Sequence, residues 1–176
     1  MKTVVYSTLF LFVIMLISCN GNKENAMSSA KPPVKITKAE VTQAVKNYFI
    51  QKFKNPIISE NEGLVIIQGD MEISIFKQDR IFIGKLDNDQ TQDAVVTYGY
   101  QKTGSMAYDR HLILLNTDSL RVVNDFAAAM KIEEIASKRV IALADTTPKE
   151  VNIAPCPSCQ VLIQLKLVGD SLVREK

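Results

Sequence analysis

The period of apolar positions changes several times along the chain, and each change marks a boundary. Val4–Ile17 is an almost unbroken apolar run behind Lys2, and residues 20–34, NGNKENAMSSAKPPV, are small and polar with little to bury. From Ile36 the spacing turns helical. Val41, Ala44, Val45, Tyr48, Phe49 and Phe53 fall on one stripe, with Lys52 its only polar member. Thr37 and Glu40 have the spacing of a capping box, with Ile36 and Val41 at the staple positions, and Asn55-Pro56 supplies the stop.

Beyond Pro56 the pattern shortens to runs rich in Val, Ile, Phe and Tyr. It predicts strands over Leu64–Gln68, Met71–Phe76, Arg80–Leu86, Ala94–Tyr100, His111–Asn116 and Leu120–Phe126, with turn-prone residues between them. Residues 130–145 alternate on either side of Lys138 and predict a hairpin. Gln160–Val168 and Ser171–Arg174, around Gly169-Asp170, predict a last one. Short connections favour antiparallel neighbours. The expected fold class is α+β: an N-terminal helix packed on a mostly antiparallel, curved, meander-like sheet.

The first apolar run is too short to span a bilayer comfortably but suits the hydrophobic region of a secretory signal. It ends in Leu16-Ile17-Ser18-Cys19, which resembles the lipobox of bacterial lipoproteins. The resemblance implies cleavage before Cys19, a diacylglycerol on its thiol and acylation of the new amino group, and more than one acyl chain makes attachment stable. The expected organisation is a signal peptide over 1–18, a lipidated N-terminus and flexible tether over 19–34, and one α+β domain over 35–176. The expected location is the cell envelope, lipid-anchored; Asn20 beside the anchor is not an obvious retention signal, which favours the outer membrane over the inner.

Charge changes the picture little. The full chain carries a net +2, and residues 1–18 hold one Lys and no acid, so a chain starting at Cys19 carries +1. Nothing there calls for nucleic acid.

Three stretches carry candidate chemistry. In LDNDQTQDAVV, Asp87, Asp89, Thr91 and Asp93 fall on positions 1, 3, 5 and 7 of a tight loop, the spacing of oxygen ligands to calcium. Position 6 is Gln92 where an EF-hand needs glycine, position 12 is Tyr98 where it needs a bidentate carboxylate, and the flanks are strand-like. Asp side chains also close turns by accepting backbone N–H groups, so the loop is read either as a turn or as a calcium site. GKLDNDQTQDAVVTY followed by TGSMAYDRHLILLN resembles a turn-strand pattern, L-D-x-D-x-x-x-D-A-V-V, of small bacterial envelope lipoproteins and secreted domains. That likeness covers residues 84–116 and implies fold and location rather than an activity.

Cys156 and Cys159 form a C-x-x-C pair in APCPSCQVLI. An exported chain permits a disulfide there. The strand pattern after Cys159 offers no helix N-terminus to acidify a thiol, so a structural bridge is expected, with thiol–disulfide exchange as the alternative. The third stretch, YGYQKTGSMAYDRH, places Tyr98, Tyr100, Met106, Tyr108 and Arg110 together as an expected contact surface, these being residue types enriched at interfaces. Ser105, Asp109 and the sole histidine, His111, are crowded into one loop and strand start with nothing to place an oxyanion hole. The expected function is therefore a non-enzymatic binding or accessory module for an envelope protein or glycan, with no cofactor apart from calcium.

Overall fold

The computed structural model describes residues 34–146 and 159–175, all within one compact unit, Pro32–Lys176. The expected signal peptide, Cys19, nearly all of the tether, and Cys156 lie outside the described residues. Helix α1 (Lys38–Lys52) starts at a formed capping box: the Glu40 N–H donates to Thr37 Oγ1 at 3.2 Å and the Thr37 N–H donates to Glu40 Oε2 at 2.7 Å. It ends at Phe53, whose N–H bonds the Phe49 carbonyl.

Eleven strands follow among the described residues: β1 (Ile57–Asn61), β2 (Leu64–Gln68), β3 (Glu72–Lys77), β4 (Ile81–Gly84), β5 (Asp93–Lys102), β6 (Tyr108–Asn116), β7 (Leu120–Ala127), β8 (Met130–Ala136), β9 (Arg139–Asp145), β10 (Gln160–Val168) and β11 (Ser171–Arg174). All their pairings are antiparallel. The first seven form one sheet in the order β1-β2-β3-β5-β6-β7, with β4 continuing the β3 side of β5; the last four form a second, β11-β10-β9-β8.

This corrects the α+β expectation. Among the described residues the protein is sheet-dominated, mostly antiparallel β in two sheets, and one fifteen-residue helix does not make an α+β layer. The expected single curved sheet is likewise replaced by two. The cause is local. The chain leaves the first sheet after Ala127 and enters the second at Met130 through Ala128-Ala129, a passage without Gly, Pro or Asn to announce it.

Period-two alternation sorts the side chains of the large sheet between two cores. Ala94, Val96 and Tyr98 of β5 and Leu112 and Leu114 of β6 join Val41, Val45 and Phe49 of α1. Their alternate neighbours Val95 and Ile113 join Ile132, Val140, Ala142, Ile163 and Leu165 of the small sheet. Two hairpins close on residues with positive φ at both central positions: Glu62 (φ 47) with Gly63 (φ 77), and Ser137 (φ 50) with Lys138 (φ 62). These are the backbone angles that match the twist of the flanking strands.

Candidate functional site

The acidic loop is closed by its own carboxylates. Asp87 Oδ1 accepts the Asp89 N–H at 2.9 Å, and Asp89 Oδ1 accepts the Thr91 N–H at 2.8 Å and the Thr91 hydroxyl at 2.7 Å. Asp93 is fully buried at the start of β5; it takes the Leu86 N–H on Oδ2 at 2.9 Å and the Asn116 N–H on Oδ1 at 3.1 Å. It therefore ties the loop's entry to the end of β6. Burial raises the Asp93 carboxyl against the pull of those two N–H groups. Burial also raises Asp87, while for Asp89 the bonds from Thr91 outweigh burial and lower it. Among the described residues no three His, Cys, Asp or Glu side chains converge on a point a metal could occupy. Asp87 Oδ1, Asp89 Oδ1 and both oxygens of Asp93 thus accept backbone N–H groups, and the Thr91 hydroxyl also donates to the Asn116 carbonyl at 2.6 Å.

Cys159 lies just ahead of β10, where its carbonyl accepts the Thr146 N–H at 2.8 Å and the Thr146 hydroxyl at 2.5 Å.

The expected contact surface divides in depth. Tyr98 is fully buried, so it forms no part of an exposed surface. Its hydroxyl donates to Asp125 Oδ1 at 2.8 Å. Asp125, on β7, is a hub that sequence reasoning missed: Tyr48 OH (2.8 Å) and Lys52 Nζ (2.6 Å) donate to Oδ2, and Arg110 Nε (2.8 Å) donates to Oδ1. Arg110 Nη2 also reaches the Asp125 carbonyl at 3.0 Å. Burial works against this carboxylate, but the bonds from Lys52, Arg110, Tyr48 and Tyr98 together hold it below its usual range. Strict alternation from Leu120 and Val122 would turn Asp125 away from the helix; the register shift between Ile113 and Leu114 sets it beside Leu112 of β6, on the helix side, and the signal in the sequence was only an acid inside a strand pattern.

Above this hub the remaining residues come together. Register sets Tyr100 opposite Tyr108, with rings edge-to-face at 5.5 Å, and the Arg110 guanidinium lies 5.7 Å from the Tyr100 ring. Tyr108 is 45 % exposed, and Met106, at the hairpin tip, 89 %. The neighbouring β2–β3 turn presents Met71, 56 % exposed, and is tied to the hairpin by the Thr103 N–H, which donates to the Met71 carbonyl at 2.8 Å.

His111 lies within β6 rather than at the strand start expected for it. It is fully buried, between Thr97 Oγ1 (3.0 Å from Nδ1) and the Ala128 carbonyl (3.2 Å from Nε2). The Ser105 hydroxyl bonds the Lys102 backbone of its own hairpin, with no bond to His111 among those of the described residues. Comparison of the chain with protein-family models, with curated proteins and with solved structures finds no match in any of the three.

Proposed function

We propose that this is a lipid-anchored protein of the bacterial cell envelope, a non-enzymatic binding or accessory module that meets an envelope protein or glycan through the β5–β6 hairpin end. The anchor half of the reading rests on the sequence Leu16-Ile17-Ser18-Cys19. A C-x-x-C bridge between Cys156 and Cys159 belongs to the same reading and fits an exported chain.

The observation that carries the binding half is the arrangement of Tyr100, Tyr108, Arg110 and Met106. The outer members, Tyr108 and Met106, are exposed, while Arg110 below is locked by Asp125 and Tyr98. A rigid base under exposed aromatic and thioether groups presents contact area with little ordering left to do on binding.

Site-specific photocrosslinking from the hairpin tip in intact envelopes tests it. One saturable crosslinked species is expected, reduced about tenfold by the double change Tyr108→Ala and Met106→Ser, as for a central contact cluster. Calcium chelation should leave it unchanged, because the acidic loop is closed by hydrogen bonds. A crosslink insensitive to those substitutions, or no saturable species at all, overturns the surface. Recovery of Cys19→Ala in the soluble fraction tests the anchor separately.

A further inference from the structure

The face of the large sheet that turns away from α1 is only partly covered. Register puts Ile66, Ile75, Gly99 and Asp109 in one row across β2, β3, β5 and β6. Their strand neighbours Val65, Ile67, Phe76 and Tyr98 pack under the helix, so this row faces the other way. Nearer the start of β5, Val95 and Ile113 on that same face are covered by the small sheet. The row itself is not: Ile75 is 40 % exposed, and Gly99 presents bare backbone, the closest atom to a Cβ built there lying 3.8 Å away.

A gap in strand pairing sets charged groups beside this strip. β3 pairs β5 as far as Ile75–Gly99 and β4 resumes at Ile81–Val96, so Thr97 and Tyr98 have no strand on that side. The 3-10 turn Gln78–Arg80 lies against β5 in the interval. Its Arg80 Nη1 donates to Asp109 Oδ2 at 3.0 Å, both side chains being about half exposed. Two recesses meet at this pair. One, of about 310 Å³, is lined by Leu64, Ile75 and Gly99; the other, of about 420 Å³, runs past Phe82 and Thr97 to Lys131 and Ile132 of β8. Asp79, Arg80 and Asp109 line both, so the two form one cleft of the size of a small-ligand site.

We propose that this cleft binds a neutral oligosaccharide lying across the Arg80–Asp109 pair. That pair uses one guanidinium N–H and one carboxylate oxygen, so further N–H groups of Arg80 and the second oxygen of Asp109 remain for a ligand. The Asp79 carboxylate makes no hydrogen bond among the described residues and adds two more acceptors. Sugar hydroxyls both donate and accept, and neighbouring ones on a ring suit a guanidinium or carboxylate fork. The charges of the cleft are mixed: Lys77, Arg80 and Lys131 stand against Asp79 and Asp109, and Lys131 is paired with Glu133 at 2.7 Å. A charged ligand would meet repulsion as well as attraction there, whereas a neutral polyhydroxyl chain can satisfy both signs. Leu64, Ile75 and the bare backbone of Gly99 offer apolar surface to the C–H face of a ring. An extended peptide would look for a sheet edge to pair with, and this strip is a sheet face. Tyr100, Tyr108 and Arg110 lie on the opposite face of the same strands, so the cleft does not rest on the hairpin end being a contact surface.

Titration of the full chain with neutral tri- to hexasaccharides of glucose, galactose, mannose and N-acetylglucosamine, beside acidic oligosaccharides of matched length, tests the cleft. Saturable binding of at least one neutral member is expected, weakened about tenfold by Arg80→Ala, as for a central polar contact. Arg80 sits in a surface ion pair, so the melt of that variant should stay near wild type. Gly99→Leu fills the open strip and should weaken binding at least as much; if it does not fold, Arg80→Ala decides alone. Binding of no neutral member overturns the cleft, as does preference for the acidic ones or binding that Arg80→Ala leaves unchanged. Binding lost on Met106→Ser but kept on Arg80→Ala would assign the sugar to the hairpin end and overturn it too.

Discussion

Asp125 shows how much one carboxylate holds together. It collects α1 (Tyr48, Lys52), β5 (Tyr98) and β6 (Arg110) onto β7, and its side chain is only 9 % exposed. Removing one partner of a buried charged group leaves the others desolvated and unpaired, which costs more than the bond itself. Asp125→Ala should lower the unfolding free energy by about 2–4 kcal/mol in a denaturant titration. Asp125→Asn should lower it by less, since the amide oxygen still accepts. Because the native carboxyl is held below its ordinary 3.8, this stability is complete above that value and is lost as pH falls through the native one. The wild-type chain should therefore lose stability as pH falls below about 4 in a way that Asp125→Asn does not. The sequence showed that Tyr98 and Tyr100 share a face, because alternation fixes parity. Depth was invisible: only α1 lying over Tyr98, and not over Tyr108, separates a buried strut from an exposed ring.

At the scale of elements, the contact between the two sheets is closest where β4 meets β8. A Cβ built on Gly84 would lie 2.6 Å from Ile135 Cγ2 and 3.0 Å from the Ile135 carbonyl oxygen, so no side chain fits there without moving backbone. Gly84→Ala is expected to cost about 1–3 kcal/mol through overpacking. Gly99→Ala is the control on β5: the nearest atom to its Cβ is 3.8 Å away, and a thermal melt should shift little or slightly upward. Most strands were legible from their runs of β-branched and aromatic residues, β2 to the residue. β1 was not, because four of its five residues are exposed and its polar half, Ser59-Glu60-Asn61, carries no alternation. The division into two sheets was not legible either. Successive hairpins read alike whether the next one adds to a sheet or leaves it, and Ala127-Ala128-Ala129 supplies no turn signal. Ser137-Lys138 likewise gave only its position, since neither residue advertises the positive φ it adopts.

For the molecule as a whole, nearly every strand pairs with its neighbour in the chain, and even β3 reaches β5 across only the short β4. The helix is the exception. Its last turn is bonded to Asp125 across 77 and 73 residues, while the hairpins close over a few. That division has a kinetic consequence. Adjacent hairpins form without a large loop-closure cost, whereas the helix reaches β1 and β2 early but meets Asp125 only once β7 has been brought to it. The barrier should then be crossed with the meander largely assembled and the Asp125 hub still open. In a chevron analysis Asp125→Ala should mainly speed unfolding and leave refolding almost untouched, and an equal slowing of refolding would place the helix in the folding nucleus. Helix docking would thus govern how long the folded protein lasts more than how quickly it forms, which places its lifetime in its own unfolding barrier.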